Sequence, residues 1–402
     1  MLTIEEALEL VRQQCSPLAA VRVALNDAAG LVLAEDIASD IDSPPHDKAM
    51  MDGYAVRSAD REPERRIIEE IAAGAVPRCD VAPGTTARIM TGAPLPDGAD
   101  AVVPVEQSEL LNAQTVRLQQ VDPAKGQNVL PRGVSMRAGD VVIRRGVVVR
   151  PIEVAILAET GHDTVPVIPR PRLAILPTGN ELVAVGAKPG PGEIRNSNGP
   201  MLAAAARRAG ADAIELDVAR DTHEHLTQQI KSGLDADVLV LSGGVSAGKF
   251  DLVPQVLKEQ GVEEIFHKIA LRPGKPLWFG VKRHTSKGHR TALVFGLPGN
   301  PVSSLVCFEL FVRPTLAALA GQGFAQLSTV AATISHAYEH AGGRAACLPA
   351  HVEPGPNGSR VAILRWQGSA DLATLAKANG LVRLPSEACR LAEGDLVDVI
   401  TV

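Results

Sequence analysis

Apolar residues recur at positions 4, 7, 8 and 11 of TIEEALELVRQQ (3–14), the spacing of one helical face. Thr3 with Glu6 forms a capping box, so a helix is expected to begin there. A helix at a chain end needs something over its apolar face, and a partner subunit is one candidate. From about 20 to 168 the pattern shortens to β-like runs broken by Pro and Gly. They include ARIM (87–90), DAVVPVE (100–106), QTVRL (114–118) and DVVIRRGVVV (140–149). One or two small β-rich domains are expected there, with the chain passing between them. PIEVAILAETG (151–161) predicts a helix that Pro opens and Gly stops.

From about 170 strands and helices alternate. The expected strands are RLAILPTG (172–179), ADAIELDVA (211–219), DVLVLSGG (237–244) and TALVFGLPG (291–299). The expected helices are GPMLAAAARRAG (199–210), THEHLTQQIKSGL (222–234), FDLVPQVLKEQG (250–261) and the long PVSSLVCFELFVRPTLAALAG. Such alternation predicts a doubly wound parallel sheet, which binds ligands beyond the C-terminal ends of its strands. From about 322 short β runs return and suggest a separate small β domain.

The 402 residues exceed one ordinary core and suggest two to four domains. A formal charge of −6 gives no overall attraction to nucleic acid or anionic membrane, so a bound anion needs a local cluster of cations. Aromatic residues make up 3%, too few to suggest base-stacking platforms. Five cysteines without paired spacing read as buried thiols of a reducing cytoplasm. No apolar run approaches the ~20 residues of a membrane span, and the acidic N-terminal helix is unlike a signal peptide. His223 and His225, and the Arg pairs at 65–66, 144–145 and 207–208, read as solvated surface.

Four strand ends should deliver their loops to one edge: PTGNEL (177–182), Arg220-Asp221-Thr222, SGGVS (242–246) and GLPGNP (296–301). SGGVSAGKF contains the G-x-x-x-x-G-K of nucleotide hydrolases, but Phe250 stands where the Mg²⁺-binding hydroxyl belongs. The glycines still suit backbone N–H contact with a phosphate. In LRPGKP, Arg272 and Lys275 flank a Pro-Gly turn, which serves either as solvated surface or as an oxyanion clamp. Asp251 fits either N-terminal helix stabilisation or Mg²⁺ near a phosphate.

Seven blocks in order resemble the molybdopterin molybdenumtransferase family, the MoeA type that includes the gephyrin E domain. They are MMDGYAV, IMTGAPLPDGADAVV, ILPTGNELV, GEIRNSNGPML, LSGGVSAGKFD, LRPGKPLWFG and GLPGNPVSSLVCFELFVRP. The resemblance implies an elongated multidomain α/β-plus-β protein whose doubly wound, molybdopterin-binding-like domain is flanked by small β-rich domains. Implied are a discontinuous domain I (1–25, 41–51, 137–169), domain II (26–40, 52–136), α/β domain III (170–321) and β domain IV (322–402).

The implied reaction is the last step of molybdenum cofactor synthesis: adenylylated molybdopterin and molybdate react with Mg²⁺, releasing AMP and the cofactor. The resemblance assigns catalytic roles to Asp52, Thr91, Glu181, Asp221 and Asp251, with Asp221 and Asp251 as Mg²⁺ ligands. Ser242, Gly243, Gly244, Ser246, Gly248, Pro298, Gly299 and Asn300 would form the nucleotide and pterin cradle. Arg272, Lys275, Arg344 and Ser369 would hold molybdate. A homodimer sharing its active cleft is implied, with an upstream adenylyltransferase and downstream molybdoenzymes as possible partners. One departure stands out: Ser135 replaces an acid that many members carry, while Arg272 in place of Lys keeps the charge. The alternatives are a non-catalytic molybdopterin-binding scaffold or carrier of the gephyrin E type, and the preceding adenylyltransferase, for which the β domains would be superfluous.

Overall fold

The computed structural model describes residues 1–245, 252–283, 291–324, 329–356 and 358–402. The chain forms two compact units. One comprises Met1–Arg22, Gly30–Ala34 and Pro166–Val402, the other Val23–Ala29 and Glu35–Val165.

The first unit is built on a six-stranded sheet. Its order is Asp212–Glu215, Arg172–Pro177, Val238–Ser242, Thr291–Leu297, Trp278–Arg283, Glu263–His267. The first four strands are parallel, as the alternation predicts. The last two pair antiparallel and turn the sheet into a mixed one. Their connection, residues 268–277, is too short for a helical crossover, which needs a dozen or more residues.

Side chains alternate between two cores. Leu173, Ile175, Val238, Val240, Leu293 and Phe295 face a cluster that includes Leu202 and Val306 of the helices Asn198–Arg208 and Pro301–Cys307. Ala174, Leu176, Leu239, Leu241 and Val294 face Leu226, Ile230, Val256 and Leu257 of the helices His223–Gly233 and Val253–Glu259. The N-terminal helix Ile4–Arg12 starts at the expected capping box. Ile4, Ala7 and Val11 bury in the first of these cores. The chain itself therefore covers the face for which a partner was one candidate.

The long helix is not uniform. It runs α over Pro301–Cys307, widens to a π-helix at Phe308–Val312 and returns to α over Arg313–Leu319. Arg313 N–H reaches back five residues to the Phe308 carbonyl. Pro314 follows directly; it has no N–H, and in a regular α-helix its ring would strike the carbonyl four residues back, so the wider turn accommodates it. Pro301–Leu319 is long and apolar enough to span a membrane, with a mean hydropathy of 1.5, yet 83% of its apolar window is buried here. It is a core helix.

Among the residues expected at the surface Arg65 is buried, whereas Arg144, Arg207, Arg208 and His223 are exposed and bonded to carboxylates. Glu309 is 0% exposed and binds Arg208 at 2.5 Å and Arg313 at 3.0 Å. Burial raises its pKa against the pull of both cations. Arg65 is 1% exposed and pairs with Asp60. His223 binds Glu259 at 2.5 Å, and the half-buried His225 accepts the Arg220 N–H at 2.9 Å. Of the five free cysteines only Cys307 and Cys347 are buried, and Cys79 is exposed.

Five C-terminal strands, Thr329–Ile334, Ala345–Glu353, Ser359–Ile363, Gly380–Leu384 and Leu396–Thr401, pair in a closed ring, a small barrel. The short strand Leu271–Arg272 runs parallel to it at Ala345–Ala346. The second unit centres on a six-stranded sheet ordered Ala101–Pro104, Gly53–Val56, Thr85–Ile89, Glu64–Ile71, Thr115–Leu118, Ser108–Asn112. The run at 140–149 forms a strand only over Val141–Ile143.

Leu239 sits fully buried in the sheet's interior. Leu239→Ala is expected to cost about 2–5 kcal/mol in urea unfolding of this unit. A loss below about 1 kcal/mol would mean that the second core is not close-packed there.

Candidate functional site

Parallel register brings Pro177, Ser242 and Leu297 side by side, so three loops leave the sheet at one level. They open on a cavity of about 760 Å³ lined by Glu181, Asp221, Ser242, Gly243, Gly244, Pro298, Gly299 and Asn300. Eight residues expected at the site thus meet on one surface. Ser246, Gly248 and Asp251 lie outside the described residues.

The glycines are required by close approach. Gly243 has φ +101°, and a Cβ on it would stand 2.7 Å from the Thr178 carbonyl oxygen. On Gly244 a Cβ would stand 2.7 Å from Val253 Cγ2. A Cβ on Gly299 would lie 3.7 Å from Gly243 Cα, so the two glycine loops touch. The bare backbone leaves room for a phosphate beside the start of the helix at Pro301.

Asn198, in the quoted run GEIRNSNGPML but not singled out from it, joins these loops. Its Nδ2 donates to Ser242 Oγ at 2.8 Å and to the Gly299 carbonyl at 2.7 Å. Asn198 Oδ1 and Thr178 Oγ1 are buried without a hydrogen-bond partner. The sequence signal was the Asn residues just before an apolar helix. It reads equally well as ordinary capping.

A second cavity of about 610 Å³ contains Arg272, Lys275, Arg344 and Ser369, together with Ser303, Trp366 and Gln367, which the sequence did not single out. Among the described residues three cations and no carboxylate line it, a local excess of positive charge in a chain of net −6. Barrel pairing causes this: Leu271–Arg272 aligns with Ala345–Ala346, and Arg344 Nη1 donates to the Leu271 carbonyl at 3.2 Å. Pro276, Pro298 and Asn300 line both cavities, which therefore adjoin. Asn300 Nδ2 donates to Ser369 Oγ at 2.8 Å, which ties the α/β strand end to the barrel.

In the second unit Asp52 and Thr91 meet directly. Asp52 Oδ1 accepts the Thr91 N–H and the Thr91 hydroxyl, each at 2.7 Å. These bonds, the N–H first, hold the Asp52 carboxyl below the usual range. Gly53 next to it is buried, and a Cβ there would fall 2.1 Å from the Val103 carbonyl oxygen. The Asp-Gly pair is thus the entry to a strand rather than a free turn. Ser135 lines a separate cavity of about 660 Å³ with Asp140, Arg144 and Glu159.

Three family models match the chain. They are the MoeA N-terminal region (domains I and II) over 2–161, a "probable molybdopterin binding domain" over 174–318 and the MoeA C-terminal region (domain IV) over 331–402. The chain is 34% identical to a molybdopterin molybdenumtransferase of Staphylococcus aureus, covering 99% of this chain and 94% of that protein. It is 31% identical to one of Staphylococcus epidermidis, covering 99% and 95%. The structure of a molybdopterin biosynthesis MoeA protein from Pyrococcus horikoshii superposes with a TM-score of 0.86 at 33% identity, covering 100% of this chain and 99% of that one.

Thr91→Val removes the hydroxyl bond to Asp52 and keeps the N–H bond. The Asp52 pKa, read by carboxyl ¹³C NMR, is expected to rise toward the ordinary value. Because the folded pKa is depressed, this carboxylate adds stability above the ordinary pKa and loses it as pH falls through the folded one. The variant should therefore lose part of that pH dependence. An unmoved Asp52 pKa would contradict the assignment.

Proposed function

The chain belongs to the molybdopterin molybdenumtransferase (MoeA) family, and on that premise we propose how its two adjoining cavities divide the work. The enzyme is a transferase of molybdenum cofactor biosynthesis. Its substrates are adenylylated molybdopterin and molybdate, and AMP leaves as the pyrophosphate bond is cleaved.

The observation that carries this reading is the contrast between the cavities. One combines glycine loops with Glu181 and Asp221, and the other holds, among the described residues, three cations and no acid. The phosphates and pterin lie in the first, against Gly243, Gly244 and Gly299, with Ser242 Oγ as a hydroxyl partner. Molybdate, a tetrahedral dianion, suits the guanidinium, ammonium and hydroxyl donors of Arg272, Arg344, Lys275 and Ser369. Because Pro298 and Asn300 face both spaces, the dithiolene and the oxyanion are held as neighbours, and proximity supplies much of the rate.

Two exposed carboxylates on the first cavity suit Mg²⁺, which is held by one or two carboxylates together with substrate phosphates. Those two are Glu181 and Asp221; Asp221 would hold the ion together with Asp251, which the family resemblance assigns and which lies outside the described residues. When bound, Mg²⁺ offsets the charge that develops as the pyrophosphate opens. The reaction takes place in the cytoplasm, where the free cysteines are compatible with a reducing medium. The working form is a homodimer in which Asp52 and Thr91 serve the cleft of the other copy, and no nucleic acid or membrane takes part. An upstream adenylyltransferase supplies the substrate and downstream molybdoenzymes receive the product.

With purified protein, adenylylated molybdopterin, Mg²⁺ and molybdate, AMP release and transfer of active cofactor to an apo-enzyme are expected together. Binding without AMP release would favour a carrier. Lys275→Ala should raise the molybdate needed for half-maximal rate by about tenfold or more, the loss of one charge-assisted contact. An unchanged molybdate dependence would remove Lys275 from the site. Mixing Asp52→Ala and Lys275→Ala proteins, at a molybdate concentration too low for Lys275→Ala alone to turn over, should restore activity, because a heterodimer has one intact cleft. No recovery after confirmed subunit exchange would contradict a shared cleft.

A further inference from the structure

Three consecutive peptide carbonyls around Glu181 are held by hydrogen bonds. Arg220 Nη1 donates to the Asn180 carbonyl at 2.9 Å and to the Leu182 carbonyl at 3.4 Å, so the guanidinium straddles the acid's backbone. The Glu181 carbonyl between them accepts the Ile194 N–H at 2.9 Å. The tie also runs in the other direction. Asn180 Oδ1 accepts the Asp221 N–H at 3.1 Å, so the loop carrying Glu181 holds the loop carrying Asp221.

Arg220 is itself fixed at both ends of its peptide. Its N–H donates to His225 Nδ1 at 2.9 Å, and its carbonyl accepts the Thr222 N–H at 2.7 Å. Below this level the two loops are joined through the sheet, with Gly179 N–H bonded to the Ala219 carbonyl at 3.1 Å and Thr178 bridged to Ala219. Glu181 packs back over Gly179, where a Cβ would meet its carboxylate oxygens at 2.5 and 2.6 Å. The acid's direction is therefore set by the loop that Arg220 clamps. Glu181 and Asp221 line the first cavity, and Arg220 is absent from its wall.

We propose that Arg220 is a positioning residue for the reaction: together with Asn180 it locks Glu181 and Asp221 into one acidic unit. Its Nη1 donates to two peptide carbonyls of the Glu181 loop, where a cation makes a charge-assisted bond stronger than a neutral donor's. The inference rests on the reading that these two acids act on the adenylylated pterin. A shift of about 1 Å in such a group costs on the order of 10²-fold in rate.

The test uses full-length protein and two independent readouts. The first is AMP release by Arg220→Ala, Arg220→Lys and Asn180→Ala, each alone and combined with Glu181→Gln. Arg220→Ala is expected to lower kcat by roughly 10²-fold, with the molybdate KM little changed. Arg220→Lys should recover part of the loss, because an ammonium can donate to both carbonyls. In the Glu181→Gln background Arg220→Ala should add little, since residues acting as a unit are not additive. An equal loss in both backgrounds, or no loss in kcat, would overturn the proposal.

The second readout is hydrogen exchange at the Asp221 and Ile194 amides. Both should exchange at least tenfold faster in Arg220→Ala, and Asp221 should do so in Asn180→Ala. Unchanged protection overturns the clamp whatever the activity shows. Wild-type protein that releases no AMP would defeat the functional reading instead, and exchange would still decide the clamp. Should Arg220→Ala fail to fold, Asn180→Ala and Arg220→Lys carry the same comparisons.

Discussion

Hydrogen-bond register among the three central parallel strands is the constraint on which the rest depends. Pro177 pairs with Ser242, and Ser242 with Leu297, so three strands stop at one height. A one-residue slip in any of them would exchange its two side-chain faces, setting Leu239 and Leu241 against the wrong core. Burial on both faces thus fixes the register, and the register fixes the loops. The two glycine loops approach each other at Gly243 and Gly299, the Thr178 carbonyl leaves no room for a Cβ on Gly243, and Asn198 bonds to Ser242 and Gly299 across the same level. Packing deep in the sheet and chemistry at its edge are one argument.

Electrostatics divides that edge. The chain is net negative, yet Arg272, Lys275 and Arg344 gather beside a single cavity with no acid among the described residues of its wall. The barrel makes this possible by laying Leu271–Arg272 along the strand that begins at Ala345. The cations thereby stand in a place adjoining, but separate from, the carboxylates of the first cavity. Asn300 spans the boundary through its bond to Ser369 and keeps the two spaces in contact.

Much of the α/β core was legible because its signals are local. The strand 172–177, the Gly-stopped helix after Asn198 and the Thr3 capping box each depend on residues close in sequence. The strand Trp278–Arg283 and the edge strand Glu263–His267 were not legible. They pair across a ten-residue connection with no short turn signal, and only tertiary contact sets their direction. Ring closure of the barrel depends on the pairing of Ala345–Glu353 with Gly380–Leu384, which no local pattern encodes. Arg65 looked like a surface cation because composition cannot reveal Asp60 beside it. At the site, the glycines and the Arg272–Lys275 turn were readable from residue type. Asn198 and Arg220 were not, since their bonds go to groups of loops distant in sequence: Ser242 Oγ and the Gly299 carbonyl for Asn198, the Asn180 and Leu182 carbonyls for Arg220.

The account stands or falls on where molybdate binds. Anomalous diffraction at the molybdenum edge, from crystals soaked in molybdate, locates it directly. A peak bounded by Arg272, Lys275, Arg344 and Ser369 is the predicted result. A peak against Gly243 and Gly244, with none in the cationic cavity, would contradict the division of labour on which the account rests.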